Sequence, residues 1–450
     1  MMARAASIRQ IVKRDGQVVP YDRERIATAI FKAAVSLGGS DRPLAERLAA
    51  DVEQALIATY RAEASPSVEE IQDVVESVLI QRGHVRTARA YIIYRHERAR
   101  ARATRAQQPV EICDNIPYKK IYEVLRWNMA HGCETVAGLN GLIAAGRFPQ
   151  LVADGNRRYD DEIAAGAALI LQRIPAVRVV IIAGPSSSGK TTTTIKLSDH
   201  LKKAGLELVT LTVDHYFFDL ARHPRDEFGD YDYETPQALD LPLINDHLVR
   251  LLAGETIRTP HYDFKTGRRT LDVHELRLAP HQLILIDSLH GLYAGMTQSI
   301  PAASKFRLYI ETLGQVRDEA GNFMRWADNR LLRRMVRDAW HRNLQPLATL
   351  AHWHYVRRSE LRHIIPFIGS ADYVVNSALP YELPLLKARL FPFLPAGLEQ
   401  FRADAQRQDA FIRAKRVAEF LEPLTAVADD AGVPRDALIR EFIGGSAYTY

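Results

Sequence analysis

The stretch VRVVIIAGPSSSGKTTTTIKLSDHLKKAG, residues 177–205, decides the fold of this chain. It opens with VRVVIIAG, an apolar run rich in β-branched side chains, which is typical of a strand buried on both faces of a parallel sheet. The following TTTTIKLSDHLKKAG predicts a helix, and LELVTLTVD at 206–214 predicts a second strand, which completes a βαβ unit. Further strands are predicted in HQLILIDSLHG (281–291) and KFRLYIET (305–312). We therefore expect an α/β domain built on a parallel sheet.

The loop between the first strand and its helix predicts a phosphate-binding site. Gly184-x4-Gly189-Lys190-Thr191 fits the P-loop pattern, and it lies between a strand and a helix, as that motif requires. Backbone N–H groups at the start of the helix would bind the phosphates of ATP, Lys190 would neutralise the β/γ oxygens, and Thr191 would ligate Mg²⁺. The expected nucleotide contacts are Gly184, Ser186, Ser187, Ser188, Gly189, Lys190, Thr191 and Thr192.

Nucleotide binding alone leaves a hydrolase, a switch and a kinase open, and two strand-end carboxylates bear on that choice. Asp214 ends LELVTLTVD at the sheet edge where the P-loop lies, and there it could accept a proton from an attacking hydroxyl group. A single aspartate in that position is also often only a helix cap or an ion-pair partner. Asp287, which ends LILID, is expected near Mg²⁺.

An arginine-rich segment, DNRLLRRMVRD at 328–338, predicts a helix with Arg330, Arg333 or Arg334, and Arg337 on one face. Such a run is usually a solvated helix face. The alternative is a lid that closes over the phosphates and stabilises the transferring charge.

Residues 7–97 form a separate predicted unit that is mostly helical. IRQIVKRDGQVVPYD resembles a short hairpin with a turn at Asp15-Gly16, and Asp22 is placed to cap the helix that follows. Ser67-Val68-Glu69-Glu70 is a capping box. Residues 98–176 are expected to form a helical connector, and residues 396–450 a helical tail.

Bulk composition narrows the class of protein. Of 450 residues, 47% are hydrophobic and 25% charged, which is ordinary for soluble domains, and no apolar run is long enough for a bilayer. The N-terminus lacks the apolar core of a secretory signal, and two cysteines cannot build a disulfide framework, so we expect a cytoplasmic protein. The excess of 59 basic over 54 acidic residues is too small to favour nucleic-acid binding.

Seven ordered motifs within 177–395 resemble the uridine kinase/phosphoribulokinase family. They are GPSSSGKTT, VDHYFFD, DYETPQALD, PHYDFKTGRR, LILIDSLHGL, DNRLLRRMVRD and ADYVVNSALPYEL. The resemblance implies a P-loop fold of the nucleoside-monophosphate-kinase type, with Asp214 as catalytic base, Asp287 beside Mg²⁺ and the arginines in a lid. Residues expected to line the acceptor pocket are Tyr216, Glu234, Tyr262, Phe264 and Arg269. The chain departs from the family pattern at Gly267, where uridine kinases carry a base-reading histidine, and at Asp287-Ser288, where Glu-Gly is usual.

The N-terminal unit resembles the ATP-cone family of nucleotide-sensing domains. The resemblance is carried by IVKRDGQVVPYDRERI, VEEIQDVVESVLIQRG and ARAYIIYRHER. It implies that Val12, Lys13 and Arg14 contact the phosphates of a second adenine nucleotide. The zinc ribbon of the cone-containing repressor is not found, which argues against a DNA-binding regulator.

Together these features predict an ATP- and Mg²⁺-dependent kinase for a nucleoside hydroxyl group, controlled by an adenine nucleotide at the cone. We expect a homo-oligomer that interacts with neither nucleic acid nor membrane. Two alternatives stay open: a phosphoribulokinase-like sugar kinase, and a catalytically degenerate regulator that reports nucleotide state to a partner.

Overall fold

A computed structural model describes residues 8–13, 18–60, 65–95, 115–225, 231, 235–404 and 407–449. The chain divides into two compact units, the first of residues 1–112 and 396–412, the second of residues 113–395 and 413–450. Among the helices in these described ranges, none is long and apolar enough to cross a bilayer.

The first unit begins with a two-stranded hairpin followed by helices. Strand β1 (Gln10–Val12) pairs antiparallel with β2 (Val18–Pro20); the predicted turn at 14–17 lies outside the described residues. The helices are α1 (Arg23–Val35), α2 (Arg42–Thr59), α3 (Val68–Gln81) and α4 (85–95). This confirms the mostly helical domain with a short N-terminal hairpin.

Two predicted helix caps in this unit are confirmed. The Asp22 carboxylate accepts a hydrogen bond from the Glu24 N–H, 3.0 Å away, at the start of α1. At α3, Ser67 Oγ accepts from the Glu70 N–H (3.2 Å) while the Glu70 carboxylate accepts from the Ser67 N–H (2.7 Å). These bonds satisfy amide groups that have no partner inside a helix, and so they fix where each helix begins.

The second unit contains a five-stranded parallel sheet in the order β4-β7-β3-β8-β9, which confirms the predicted α/β class. All five residues of β3 are buried, as expected for a central strand covered on both faces. Its registers place Ile181 opposite Ile286 of β7 and Arg307 of β8. The strand bounds are β3 (Val179–Ala183), β4 (Glu207–Thr210), β7 (Gln282–Asp287), β8 (Lys305–Glu311) and β9 (Tyr373–Asn376).

Helices surround this sheet, and a separate antiparallel hairpin of β5 (Ile257–Asp263) and β6 (Arg268–Leu276) projects from the same unit. The helices before and within the sheet are α5 (Tyr118–Ala130), α6 (Val136–Ala144), α7 (Phe148–Gln172), α8 (Lys190–Lys203), α9 (Leu241–Leu252), α10 (Trp326–His341), α11 (Pro346–His363) and α12 (Glu382–Leu390). Helix α8 follows β3 directly, so the P-loop lies at the carboxyl edge of the central strand.

The end of the chain differs from the expected helical tail. Helices α13 (Leu394–Arg402) and α14 (Gln408–Leu421) are present, but among the described residues beyond Leu421, which run to 449, only the short α15 (Arg440–Ile443) is an α-helix. Residues 396–412 group with the first unit and residues 413–450 with the second.

Candidate active site

The P-loop backbone needs glycine at two positions. A side chain on Gly184 would place its Cβ 2.5 Å from the Ile310 carbonyl oxygen. Gly189 has a φ of +91°, and an added Cβ would lie 2.5 Å from a methyl carbon of Leu438. Ser187 also has a positive φ, +60°. The loop therefore curls tightly in front of α8, which directs N–H groups of the first turn toward one point.

The first turn of α8 presents the residues predicted to bind a triphosphate. Lys190 is half-buried and Thr191 is exposed, whereas Thr192 and Thr193 are buried. Thr193 Oγ1 donates to the Gly189 carbonyl oxygen (2.8 Å) and is 2.7 Å from the Tyr159 hydroxyl group. Thr193 thus holds the loop, whereas Lys190 and Thr191 keep solvent-accessible surface.

The two predicted carboxylates lie at one edge of the sheet. Asp214 is in a short 3-10 turn (Val213–Tyr216) just after β4, and Asp287 ends β7, the strand next to β4. Asp287 pairs in register with Ile182 of β3, which precedes the P-loop. The Thr194 hydroxyl group of α8 donates to Asp287 Oδ2 at 3.2 Å.

Desolvation in this recess raises the pKa of both acids. The Asp214 side chain reaches solvent, but the protein around it removes part of its hydration, and this desolvation raises its pKa. The positive charge of Lys190 lowers the pKa, and the negative charge of Asp287 raises it further. Desolvation also raises the pKa of Asp287, against Lys190 and the Thr194 hydrogen bond. Two carboxylates and one ammonium group therefore share one electrostatic environment, as expected where charge is to be transferred.

Helix α10 supplies two arginines to the P-loop side chains. Arg334 donates to Ser186 Oγ at 2.9 Å, and its Nε donates to Asp338 at 2.6 Å. Arg337 lies 3.4 Å from Ser187 Oγ. Both side chains are only partly exposed, at 24% and 19%, which places them in the recess beside the P-loop rather than in bulk solvent.

Arg330 differs from the prediction that it belongs with these two. It is 1% exposed and donates to Glu311 (2.8 Å), Glu360 (2.9 Å) and the Ser186 carbonyl oxygen (3.1 Å). Because two carboxylates already hold its buried guanidinium group, Arg330 supports the P-loop from inside the fold.

A second buried arginine, Arg333, also differs from the predicted lid face and has a role similar to that of Arg330. Arg333 is fully buried, pairs with Glu382 at 2.6 Å, and donates to the Ser377 carbonyl oxygen at 2.6 Å. Helix α10 thus carries two structural arginines and two that face the P-loop side chains. Arg333 is visible in the sequence, but its partner on α12 is 49 residues away.

An aromatic cluster lies beside Asp214, on the predicted acceptor side. Tyr262 is buried, with ring centroids of Phe217 and Phe264 at 5.6 and 5.0 Å. His223 is 6.1 Å from Tyr262 in a stacked arrangement. Phe264 is 60% exposed, so it forms the open rim of this cluster.

Arg269 is held at the edge of that cluster. Its Nη1 donates to Asp240 Oδ2 at 2.8 Å, its backbone N–H donates to Asp219 at 2.7 Å, and its guanidinium carbon is 5.1 Å from the Phe218 ring centroid. Asp219 and Asp240 were not predicted, although both lie within or next to motifs quoted above. The sequence feature that could have identified them is a carboxylate residue within or next to an aromatic motif.

Three further expectations on the acceptor side have different outcomes. Tyr216 does not face a pocket: it is fully buried, and its hydroxyl group is 2.8 Å from Nδ1 of buried His247. Glu234 lies outside the described residues. Gly267 has a φ of +68° and its N–H donates to the Asp263 carbonyl oxygen at 2.8 Å, so the hairpin turn requires glycine where the family pattern has histidine.

In the first unit, the predicted phosphate contacts are only partly described. The Val12 N–H donates to the Pro66 carbonyl oxygen at 3.0 Å, which ties β1 to the start of α3. Lys13 is half-buried next to it, and Arg14 lies outside the described residues. A recess of 640 Å³ is lined by α1 and α4 and includes Lys32 and Tyr94.

Comparison with known proteins agrees with this arrangement. Residues 179–381 match the Phosphoribulokinase / Uridine kinase family, and residues 9–100 match the ATP cone domain. The chain joins an ATP-cone domain to a domain of the phosphoribulokinase/uridine kinase family. Its kinase domain is therefore related to phosphotransferases.

Individual relatives are similar to parts of the chain. A uridine kinase from Deinococcus deserti is 26% identical over 215 residues, covering 47% of this chain and 94% of the relative. A uridine kinase from Bacillus cereus is 31% identical over 160 residues, or 36% of this chain and 66% of the relative. The ATP-cone domain is 42% identical over 96 residues to a vitamin B12-dependent ribonucleoside-diphosphate reductase from Thermoplasma acidophilum, covering 20% of this chain and 12% of that protein. A solved structure of a "Possible Uridine Kinase" from Bacillus stearothermophilus is 18% identical, with a TM-score of 0.33, and covers 48% of this chain and 98% of its own.

Proposed function

We propose that the kinase domain transfers the γ-phosphate of ATP to a hydroxyl group of a nucleoside. The observation that carries this proposal is the convergence of Asp214, Asp287 and Lys190 on one recess at the carboxyl edge of the sheet. A hydrolase or a switch needs the P-loop and a metal-associated acid. A second carboxylate that accepts a proton is what an attacking hydroxyl group requires.

Each side chain has a role that follows from its surroundings. Lys190, Arg334 and Arg337 would hold negative charge on the phosphates, because they are cations beside the P-loop. Asp214 would accept the proton of the acceptor hydroxyl as that oxygen attacks. Arg330 would act through the backbone of Ser186 as a positioning residue.

The residues present fit Mg²⁺. Thr191 has an exposed hydroxyl group, and Thr194 donates to only one carboxylate oxygen of Asp287. No cluster of three or more acidic, histidine or cysteine ligands suited to a metal occurs among the residues that the structure describes. Mg²⁺ commonly takes one or two protein ligands and fills its other positions with water and substrate phosphates, so Thr191 and Asp287 suffice. When bound, the ion would neutralise charge on the phosphate oxygens.

The acceptor pocket supports a flat or sugar-containing substrate more than a phosphorylated one. Phe264, which is 60% exposed and packs edge-on against buried Tyr262, offers aromatic surface on which a nucleobase can stack. Arg269 is already paired with Asp240, so it is less available for a phosphate group of a sugar-phosphate acceptor. This favours the nucleoside over the phosphoribulokinase-like alternative.

We also propose that the ATP-cone, taken as residues 7–97, senses an adenine nucleotide and adjusts the activity of a cytoplasmic homo-oligomer. Support comes from the match at 9–100 and from Lys13 beside the β1 strand. Lys13→Ala should remove any effect of added dATP or ADP on turnover and on size in solution, and should leave basal turnover unchanged. A nucleotide response that is identical in both proteins would contradict this.

Acceptor-stimulated release of ADP tests the proposed transfer. Nucleosides, pentoses and pentose phosphates are screened in turn, with Lys190→Met as the control that lacks the phosphate-binding cation. We expect a nucleoside to stimulate ADP release in the natural protein and not in the control. If ATP binds but no acceptor stimulates release, the nucleotide-dependent regulator becomes the better description.

A further inference from the structure

Described residues near the C-terminal side of the second unit lie against the P-loop. Within the C-terminal segment (residues 433–449), Leu438, Ile439 and Phe442 have no exposed surface. Leu438 packs on the Cα of Gly189, where any added side chain would collide with it. The Phe442 ring lies 5.0 Å from the Arg333 guanidinium carbon and 5.7 Å from that of Arg337. The segment therefore borders both the phosphate loop and the arginine helix.

One carboxylate of this segment occupies donors of the phosphate site. Glu441 Oε2 accepts from the Thr192 backbone N–H at 3.2 Å and from the Thr192 hydroxyl group at 2.7 Å. Glu441 Oε1 lies 3.6 Å from Arg337 Nη1. Glu441 is only 5% exposed, so these are its main polar surroundings. A carboxylate at first-turn N–H groups stands where an anionic ligand would bind.

Phosphate and Glu441 cannot both take the same hydrogen bonds. The Thr192 N–H is a single donor, and its hydroxyl group has a single proton. The same competition applies to Arg337, because a guanidinium group held near Glu441 is less available to a nucleotide phosphate. Bringing a phosphate next to the buried carboxylate would also place two negative charges together without solvent between them.

We propose that Glu441 is a built-in competitor of the nucleotide: the C-terminal segment must withdraw this carboxylate from Thr192 before a phosphate group can bind there. This rests on the proposed function only in requiring that the P-loop binds a nucleotide. The contact is autoinhibitory, because the observed affinity for nucleotide is reduced by the fraction of molecules in which Glu441 still occupies the site. Withdrawal of Glu441 also releases Arg337 from its acidic neighbour. Thr192 and Arg337 therefore become available to the nucleotide in one step.

Glu441→Gln tests the competition with little change in shape. The variant keeps the side-chain volume and loses the charge, so the charge-assisted hydrogen bonds to Thr192 become ordinary ones. We expect the Kd for ADP, measured by titration calorimetry on the full chain, to fall about tenfold, which matches the loss of one such bond. The control is Glu419→Gln on α14, whose side chain is 58% exposed and paired only with Lys415 among the ion pairs of the described residues; it should leave the Kd unchanged.

Hydrogen exchange on the natural protein tests the same point without a variant. Adding ADP should increase amide exchange in peptides that cover 433–446, because ADP displaces the segment. This is the opposite of the usual effect of a ligand, which slows exchange in the residues that it contacts. An unchanged or weaker ADP affinity in Glu441→Gln, or protection of 433–446 by ADP, would overturn the competition and leave the proposed kinase activity standing. If the natural protein binds no ADP at millimolar concentration, both proposals fail together.

Discussion

Replacing Arg330 by methionine separates a supporting arginine from those that we propose to hold the phosphates. The substitution keeps an unbranched chain of similar length and removes the charge. It deletes ion pairs to Glu311 and Glu360 and the hydrogen bond to the Ser186 carbonyl oxygen. Arg334→Met is the matched control on the same helix, since Arg334 is partly exposed and donates to Ser186 Oγ.

The surroundings of Arg330 set the size of the effect. Removing one partner from a buried ion pair typically costs about 3–5 kcal/mol, because the other charge stays buried without compensation. Here Glu360 retains Arg357 as a partner, and Glu311 retains the Tyr309 hydroxyl group (3.1 Å) and the Thr312 N–H (2.9 Å). The remaining contacts favour the lower end, about 3 kcal/mol of unfolding free energy. Arg334→Met should cost less than about 1 kcal/mol, as is typical of partly exposed pairs.

Urea unfolding followed by tryptophan fluorescence measures this difference. Trp353 is buried, and its ring centroid is 5.9 Å from the Arg330 guanidinium carbon, so its emission reports on this region. Arg330→Met should unfold at markedly lower urea with an unchanged slope, and Arg334→Met should unfold like the natural protein but lose turnover. Equal stability of the two variants, or a stable Arg330→Met protein that lacks only activity, would refute the division of the arginines.

Three further predictions address the base, the hairpin and the ATP-cone domain. Because desolvation in the recess raises the pKa of Asp214, and a protonated carboxyl group cannot accept a proton, the acid limb of kcat/KM should lie above the ordinary aspartate range; a limb at or below about pH 4 would contradict this. In Gly267→Ala the alanine must adopt a φ of +68° and bring its Cβ within 2.8 Å of Leu220 Cβ. The free energy of unfolding in urea should therefore fall by about 1–2 kcal/mol, and the KM for the acceptor should rise. Unchanged values of both would show that the turn tolerates a side chain. Ser67→Ala removes one half of the α3 capping box and should cost about 1 kcal/mol in the calorimetric transition of the ATP-cone domain, whereas no shift would mean that the cap contributes little.

Features set by local sequence were predictable. The apolar run of β3, the glycines of the P-loop and the Ser67-Glu70 box each depend on neighbouring residues, and all appear in the structure. The positions of Asp214 and Asp287 at the ends of strands likewise predicted that both lie at one edge of the sheet, because the carboxyl ends of parallel strands meet at the same edge.

Features set by tertiary partners were not predictable. Helical spacing places Arg330 and Arg334 on one face, but the carboxylates that bury Arg330 come from β8 and α11. Tyr216 follows Asp214 closely, yet its direction is fixed by His247 on α9. Glu441 lies 249 residues from Thr192, and no pattern in either segment signals their contact. One sequence contains no information on such pairs beyond the residue types themselves.

Single-turnover transfer by Asp214→Asn, compared with its ATP affinity, addresses the proposed chemistry most directly. The amide keeps the shape of the carboxylate but cannot accept the acceptor's proton. With the acceptor found in the screen, we predict an ATP Kd within about threefold of the natural protein and a transfer rate lower by about 10²–10⁴-fold, the usual contribution of general base catalysis. A transfer rate equal to that of the natural protein at equal ATP occupancy would contradict the assignment of Asp214 as the base.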